Sequence, residues 1–405
     1  MHWGNTLKQK NVWREFFPAF IIVVNSLTWF VLTNAIFGNL IYALSISPFD
    51  ALILFGIYYV AVAGSAILGA KFFPRSRKIF LSLWMLGGTI ISILLITVPN
   101  NNVSENVLIS LFFGISVGAG LPSSLACFAD RTNVEGRGFF GGITYFFVGF
   151  VTMLLIVILF SVGNILAVLM LAIWRTVGSI LFLFTFKDKK AEQLRNVPSY
   201  AYVLGKRELV LYLVPWIMFS LVNWMEAPLL QGLFGELYHL ISFIEVAISG
   251  LFALVGGIIA DFSGRKRVII IGFVVLGVEY AVLSLLAEMP VSWYIYTAFD
   301  GIAWGMFASV FFMTLWGDLA GTYEKEKYYL VGGLPYLLGS FLSILVKPYV
   351  EIIPLGMAFS LASFFLFLAV LPLMYAPETL PEKKIREREL KGYIDKAKKV
   401  KEKYT

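Results

Sequence analysis

The sequence predicts an all-α polytopic membrane protein with twelve transmembrane helices in two pseudo-symmetric six-helix halves. First, 59% of the 405 residues are hydrophobic and only 14% are charged, whereas soluble domains carry about 25% charged residues. Second, twelve apolar runs are each long enough for a helix of about 20 residues to cross the hydrocarbon core. Third, the two halves share short matching stretches in the same order. Lipid is therefore the expected solvent for most of the surface.

The expected helices are apolar runs separated by charged or turn-forming segments. They lie at 17–44, 50–70, 79–98, 106–128, 139–160, 163–186, 209–232, 237–260, 268–287, 291–316, 329–348 and 354–375. The first run is too long for the apolar core of a signal peptide, so we expect it to remain as a span. One cysteine and two histidines give no basis for a disulfide or a zinc site. We expect no metal, no cofactor and no enzymatic activity.

Lysine and arginine are distributed unevenly, and this asymmetry predicts the orientation. If both termini are cytoplasmic, 30 of the 32 basic residues lie in inner segments, while Arg175 lies inside a span and Lys347 in an outer loop. Cytoplasmic loops of membrane proteins carry such an excess. We therefore expect a multi-pass protein of the cytoplasmic (plasma) membrane with both termini inside. The expected divisions are an N-terminus (1–16), two six-helix halves (17–186 and 209–377), a linker (187–208) and a basic tail (378–405).

The two halves match one another at an offset near 190 residues. Ala70–Arg77 matches Ala260–Arg267 at an Ala, a Phe and two Arg positions, with Lys71 opposite Asp261. Further matches in the same order pair Gly114–Gly118 with Gly301–Gly305 and Asp130 with Asp318. Transporters are often built by duplication of a six-helix unit, so these matches predict two related halves.

The stretch Gly257–Lys266, GIIADFSGRK, resembles the signature loop of the major facilitator superfamily, a G-x-x-x-D-x-x-G-R-K/R pattern between the second and third spans of a half. The exit from the last span, APETLPEKK from Ala376, is similar to that of the same superfamily. The resemblance extends from the first span to about Lys384. The first half departs from the pattern, because Lys71 replaces the acid and Pro74 the glycine.

This resemblance implies an alternating-access carrier in which spans 1, 4, 7 and 10 line a cavity and spans 2, 5, 8 and 11 act as gates. It also implies that Asp261 meets the start of span 5 near Gly138, where the helix dipole stabilises an acid, and holds the cytoplasmic side closed. Lys71 would be repelled at the equivalent place, so we expect it to pair with Glu324 or Glu326. The expected latch residues are Gly257, Asp261, Gly264, Arg265, Lys266, Lys71 and Arg75.

Charged residues inside spans are costly in lipid and therefore indicate function. Asp300 is the main candidate, because it lies on one stripe of a regular helix with aromatic neighbours. These are Trp293, Tyr296, Trp304, Phe307 and Phe311. The stripe predicts a substrate wall with a protonatable or cation-binding carboxylate. The alternative is an aromatic face packed on a neighbouring helix, with Asp300 hydrogen-bonded to a polar side chain.

Other polar residues in the spans extend this prediction. Glu226 shares a face of span 7 with Asn223, and Glu245 lies in a polar stripe of span 8; a solvated end and a packed polar seam are the respective alternatives. Arg175 and Glu279 are expected to have structural partners. Asn25 can donate hydrogen bonds into the cavity, although packing is the favoured interpretation for this residue alone. The expected substrate or proton-coupling residues are Asp300, Glu226, Glu245, Asn223, Trp304, Tyr296, Phe307 and Asn25.

The charges also bear on the substrate. Since spans 1, 4, 7 and 10 contain no Lys or Arg, an anionic substrate would lack a side-chain countercharge, whereas uncompensated carboxylates suit protons and cationic or neutral amphiphiles. We expect a proton-coupled secondary transporter, with efflux of hydrophobic or cationic compounds favoured over uptake of a neutral solute such as a sugar. A non-transporting receptor or scaffold on the same fold is the alternative from another class. The expected partners are a small-molecule substrate, protons and membrane lipids, with no nucleic acid, and the chain is expected to be a monomer.

Overall fold

The computed structural model describes residues 10–72, 77–97, 103–187, 197–350, 352–381 and 390. Arg75, one of the expected latch residues, lies outside these ranges, as do residues 188–196 of the linker and most of the basic tail. All regular secondary structure within the described ranges is helical. The predicted all-α class is therefore confirmed.

Twelve helices of the described chain are long and apolar enough to cross a membrane, in agreement with the sequence prediction. They are α1 (Lys10–Ala43), α2 (Pro48–Phe72), α3 (Arg77–Leu94), α4 (Val103–Gly118 and Leu121–Asp130), α5 (Arg137–Phe160), α6 (Asn164–Thr185), α7 (Arg207–Phe234), α8 (Leu237–Ser263), α9 (Arg265–Leu286), α10 (Ser292–Phe307, Ala308–Phe312 and Leu315–Ala320), α11 (Glu326–Val350) and α12 (Leu355–Leu368 and Val370–Tyr375). A short linker helix, Tyr200–Leu204, precedes α7.

The outside of the bundle is covered by large apolar side chains. Phe184 is 84% exposed and Leu285 is 83% exposed, and many other Leu, Ile and Phe side chains of the spans are exposed in the same way. Such a surface would aggregate in water but matches the hydrocarbon of a bilayer. The inside contains the polar and charged groups that the following sections describe.

Two seams join the first six helices to the last six. Helix α5 packs along α8, and α2 packs against α11. The first seam is close because Gly138 and Gly257 face each other: a Cβ added at Gly257 would lie 2.1 Å from the carbonyl oxygen of Gly138. Small residues allow helix backbones in membranes to approach in this way. Helix α8 is held on its other side by α10.

Helix α10 is not regular, because Ala308–Phe312 forms a π turn. A π turn contains one more residue than a regular turn. Two regular turns take about seven residues, so the extra residue makes eight, which is the spacing from Trp304 to Phe312. Phe312 therefore faces the same side as Trp304, whereas the straight-helix stripe predicted from the sequence places Phe311 there.

Candidate functional site

A cavity of about 130 Å³ lies between α1, α2, α4, α5, α10 and α11. Much of the lining is aliphatic and includes Leu27, Val31, Leu121, Leu125 and Leu334, which we call the aliphatic side. None of the lining residues carries a charge, and α7, which the family resemblance implied as a lining helix, contributes none of them. The cavity therefore suits an apolar molecule or an apolar part of one.

Four of the aromatic lining residues, Tyr145, Trp304, Phe312 and Tyr336, form an aromatic wall, and Phe30 and Tyr329 also belong to the lining. The Trp304 ring lies 5.4 Å from that of Tyr336 and 6.4 Å from that of Phe312. Phe312 in turn lies 5.6 Å from Tyr336 and 6.3 Å from Tyr145. All four side chains are half-buried, so their rings pack on one another and still face the cavity.

Next to this wall, the carboxyl groups of Glu245 on α8 and Asp300 on α10 lie close enough to interact directly. Two carboxyl groups can share a hydrogen bond only when one of them holds a proton, because a carboxylate has no hydrogen to donate. Asp300 is 3% exposed, whereas Glu245 is half-buried and interacts electrostatically with Tyr145 and Tyr336. The pair therefore links the edge of the cavity to the interior.

Two more carboxyl groups lie deeper among the helices. Glu226 on α7 is 4% exposed and Glu279 on α9 is fully buried, and both interact electrostatically with Asp300. The hydroxyl group of Tyr280 lies beside Glu226, and no described residue donates a hydrogen bond to either oxygen of Glu279. Glu279 thus has acids as neighbours, in place of the structural pairing that the sequence suggested.

We call Glu226, Glu245, Glu279 and Asp300 the acid cluster. A buried ion costs several kcal/mol when no opposite charge compensates it, and the charged neighbours of these groups are one another. Within the described residues, no three His, Cys, Asp or Glu side chains are arranged to hold a metal ion. The acid cluster is therefore chemically suited to binding and releasing protons.

Three other predicted site residues lie near the cluster but outside the cavity lining. Tyr296 interacts electrostatically with Asp300 and packs on Phe234, at 5.4 Å between ring centroids. Phe307 is fully buried and packs on other phenylalanines. Asn223 is half-buried, one turn before Glu226 on α7.

Asn25 has a structural environment on the other side of the bundle. Its amide nitrogen donates to the carbonyl oxygen of Trp174 at 2.7 Å, and its Oδ1 accepts from Arg175 at 3.1 Å. The guanidinium of Arg175 lies between the rings of Trp29 and Trp84, at 4.6 and 4.3 Å from their centroids. Asn25 thus joins α1 to α6, and its polar groups are occupied by this contact.

At one end of the bundle, which we call the charged end, the start of α3 meets the loops between α4 and α5, α8 and α9, and α10 and α11. Here Asp261 accepts hydrogen bonds from the backbone N–H groups of Gly138 and Phe139, at 2.9 and 2.8 Å. The contact expected between Asp261 and the start of α5 is therefore present. A carboxylate at this position is stabilised by the N-terminal end of the helix dipole.

The other residues of the signature loop hold the start of α9. Gly264 has a φ of 98°, a conformation that favours glycine. The backbone N–H groups of Arg265 and Lys266 donate to Glu378 at 2.8 and 3.1 Å, and the Lys266 ammonium donates to backbone carbonyl oxygens of Met374 and Ala376. The exit segment after α12 thus caps α9.

Ion pairs cross between the first six and the last six helices at the charged end. Arg137 pairs with Asp318, and Lys325 lies 2.6 Å from Asp130. Each aspartate also pairs with a cation of its own set of helices: Arg265 lies 3.0 Å from Asp318, and Arg77 lies 2.5 Å from Asp130. All the side chains in these pairs are buried.

Lys71 has a different environment from the one predicted. Its side chain is exposed, and its ammonium lies 5.0 Å from the ring centroid of the neighbouring Phe72. The expected partner Glu326 is bound by Arg77, whose Nη2 lies 2.5 Å from it. Arg77 lies six residues further along the chain, and its planar guanidinium group reaches the buried Glu326. It therefore makes the ion pair that the sequence suggested for Lys71.

The linker helix also contacts both sets of helices at this end. The Tyr200 hydroxyl group donates to the carbonyl oxygen of Ile67 on α2, at 3.2 Å. Lys327, in the first turn of α11, donates to the carbonyl oxygen of Pro198 at 2.6 Å. The linker is therefore bonded to both sets of helices at the charged end.

Sequence reasoning missed several residues of the site. Tyr145 and Tyr336 belong to α5 and α11, where no charge drew attention to them, and Phe312 faces the cavity only because of the π turn. Glu378 caps α9 from a distant part of the chain. For the ion pairs at the charged end, the sequence did contain a signal, because Asp130 aligns with Asp318 and the two form equivalent pairs.

No protein-family model and no curated protein sequence matches this chain. Solved structures resemble it closely in fold. The proton:xylose symporter XylE bound to 6-bromo-6-deoxy-D-glucose has a TM-score of 0.68 at 15% identity, over 91% of this chain and 96% of that one. The human organic anion transporter MFSD10 (TETRAN) has a TM-score of 0.66 at 14% identity, over 90% and 100%. A double tryptophan mutant of XylE has a TM-score of 0.65 at 15% identity, over 93% and 98%.

Proposed function

We propose that this chain, which has the major facilitator superfamily fold and is an integral multi-pass membrane protein, is a proton-coupled secondary transporter. It moves a small solute across the cytoplasmic membrane by alternating access and exports hydrophobic or cationic compounds. Residues 17–186 and 209–377 are its two halves, and both termini and the charged end are cytoplasmic. Its partners are the solute, protons and membrane lipids, and it acts as a monomer without enzymatic activity.

The observation that carries this proposal is the close pair of carboxyl groups, Glu245 and Asp300, beside an apolar cavity. A carboxyl pair of this kind can share one proton when closed off from water and can lose it when water or a cation reaches it. Glu245 is half-buried and interacts with Tyr145 and Tyr336 of the aromatic wall, so a solute in the cavity lies near the pair. Proton binding and solute binding therefore influence each other, which is the requirement for coupled exchange.

The charged end supplies the second requirement, a gate. Asp261 on α8 binds the start of α5, and the ion pairs of Asp130 and Asp318 join the two sets of helices. Together with the glycine contact between α5 and α8, these bonds support a state closed on the cytoplasmic side. Opening that side requires all of them to break, so their loss and formation would accompany each transport cycle. We assign the latch role to Asp261 and Arg265, with the glycines and Lys266 holding their backbone.

Uptake of a sugar is a second candidate, favoured by the similarity in fold to the xylose symporter. A sugar needs several hydrogen-bond partners in its binding site, since buried hydroxyl groups without partners cost about 1–3 kcal/mol each. The lining of this cavity offers mainly aliphatic and aromatic carbon, with hydroxyl groups only from tyrosines. The lining therefore favours an apolar solute over a sugar.

Proteoliposomes with an imposed pH gradient test the proposal. We expect gradient-driven flux of radiolabelled lipophilic cations or neutral amphiphiles, absent for xylose and abolished by a proton ionophore. Asp300→Asn should abolish gradient-driven flux, while Asp50→Asn, a carboxylate in the first turn of α2 at the opposite end, should retain it. If neither the ionophore nor Asp300→Asn changed the flux, proton coupling would be refuted. If no solute were transported at all, a receptor role would be favoured.

A further inference from the structure

The cavity lining contains an aromatic and an aliphatic part, and two acids lie beside the aromatic part. The aromatic wall presents Tyr145, Trp304, Phe312 and Tyr336, while most of the remaining lining residues are aliphatic. Glu245 and Asp300 lie next to the wall and interact electrostatically with Tyr336. A molecule in the cavity therefore meets an electron-rich surface with acids next to it and plain hydrocarbon over much of the remaining lining.

Aromatic rings attract cations through their faces. The attraction acts within about 6 Å of the ring centroid, is strongest for Trp, and increases when water is excluded. Trp304 and Phe312 are nearly parallel, at 11° between their planes, and Tyr336 stands at 78° to Trp304 and 89° to Phe312. A cation beside Trp304 thus meets ring faces of different orientation from more than one residue.

We propose that the aromatic wall binds the positively charged head of an organic cation, a quaternary or delocalised ammonium, whose apolar body lies against the aliphatic side of the cavity. This inference rests on the proposed transport function and narrows its substrate class. A quaternary head needs no hydrogen bonds, which matches a lining without charged groups. A primary ammonium would need several hydrogen-bond acceptors and a sugar would need both donors and acceptors, whereas the lining side chains offer only tyrosine hydroxyl groups and one indole N–H.

The acid cluster gives this binding site its link to protons. When Glu245 and Asp300 share one proton, the pair carries one negative charge; a cation at the wall favours loss of that proton, because opposite charges attract more strongly in a low dielectric. Cation binding and proton binding at the pair therefore oppose each other. A neutral solute of the same shape would not exert this effect, and an anion would be repelled by the same carboxyl groups.

The test is a binding measurement on the purified full chain in detergent. The probes are benzyltrimethylammonium and neopentylbenzene, which differ only in whether the central atom is a charged nitrogen or a neutral carbon. Binding is measured by quenching of tryptophan fluorescence and independently by equilibrium dialysis. We expect the ammonium to bind at least tenfold more tightly than its neutral isostere, which corresponds to about 1.4 kcal/mol, and to release protons into weakly buffered solution.

Variants separate the wall from the rest of the cavity. Trp304→Leu and Tyr336→Leu should each reduce the preference for the ammonium to less than about threefold while the neutral isostere still binds. Phe150→Leu, on the same helix as Tyr145 but 43% exposed on the outer surface, should keep the full preference. If Trp304→Leu fails to fold, Phe312→Leu takes its place, since that ring lies at the half-buried edge of the wall.

Equal affinity for the two probes, or a preference that survives in all the wall variants, would overturn the inference. Either result would leave proton-coupled transport of a neutral amphiphile intact. Conversely, tight ammonium binding without gradient-driven flux would keep the binding site and refute the transport function.

Discussion

Asp130 and Asp318 form equivalent ion pairs in the two sets of helices. Each carboxylate binds one cation from its own six helices, Arg77 or Arg265, and one from the other six. The crossing cations, Lys325 and Arg137, lie 188 residues apart, as do the two aspartates. The duplicated sequence therefore produces two matching cross-links at the charged end. Because each aspartate forms both an internal and a crossing ion pair, it connects the other six helices to the start of α3 or of α9 in its own half.

Asp318→Asn should weaken closure at the charged end. The change leaves Arg137 and Arg265 buried without their shared carboxylate, and breaking a buried ion pair costs about 3–5 kcal/mol. Cys127, the one cysteine of the sequence, is 1% exposed and lies one turn before Asp130 on α4. We expect its reaction with N-ethylmaleimide to accelerate at least tenfold in Asp318→Asn. Asp50→Asn, at the opposite end, should leave the labelling rate unchanged. An unchanged rate in Asp318→Asn as well would show that this carboxylate does not control closure.

Gly257→Ala should force α5 and α8 apart. The added methyl group would lie 2.1 Å from the carbonyl oxygen of Gly138, and both atoms belong to helix backbones that cannot move independently. Overpacking of this kind costs about 1–3 kcal/mol. We expect a lower midpoint of thermal unfolding in detergent and faster labelling of Cys127. Gly87→Ala on α3 is the matched control, since its Cβ meets no atom within 4 Å. Equal midpoints for the two variants would contradict the close contact.

Much of the fold follows from the sequence, and the reason is physical. Twelve apolar runs had to become twelve spanning helices, because backbone groups in lipid must be satisfied within each segment. The contact of Asp261 with the start of α5 followed from the family resemblance and from the affinity of acids for helix N-termini. Both predictions depend on local sequence or on a motif.

The site was only partly predictable, because its details depend on three-dimensional packing. The prediction that Trp304 and Phe311 lie on one stripe assumed a regular helix. No residue type in this stretch indicates the π turn, which brings Phe312 to the cavity in place of Phe311. Glu279 lies near three other acids, each on a different helix, and the spacing of these residues along the chain does not indicate that they are close in space. Lys71 occupied the aligned position of the signature acid, but Arg77 has the reach and the planar fork that a buried carboxylate favours.

Glu279→Gln should change coupling without changing solute binding. Glutamine keeps the shape of the side chain but cannot take up a proton, and Glu279 is fully buried on α9, outside the cavity lining. We expect solute affinity within about twofold of the wild type, because its carboxyl group does not face the solute. The number of protons moved per solute should fall, as measured with a pH-sensitive dye and a labelled solute in the same vesicles. Glu105→Gln, an exposed acid on α4, should keep the original ratio. An unchanged ratio in Glu279→Gln would remove this residue from the proton path.

Arg175 provides a test of how a membrane bundle holds an isolated cation. It is fully buried, contacts Asn25 and Ser26 at 3.1 and 2.7 Å, and stacks between Trp29 and Trp84. Its Nε and Nη2 find no hydrogen-bond acceptor among the described residues. The buried charge of Arg175 is therefore stabilised largely by stacking of its planar guanidinium between two rings, an interaction that an ammonium group cannot reproduce.

Two substitutions separate the charge of Arg175 from its shape. Arg175→Lys keeps a buried charge but loses the stacking, and we expect it to lower stability by about 1–3 kcal/mol. Arg175→Met removes the charge and strands no acid, since its side-chain partners are an amide and a hydroxyl group, so it should lower the unfolding midpoint less than Arg175→Lys. Arg14→Met, at an exposed position on α1, is the control for a change of charge alone. If Arg175→Lys proved as stable as Arg175→Met, ring stacking could not be the main contribution, and the charge itself would have to be bound by groups other than the two tryptophans.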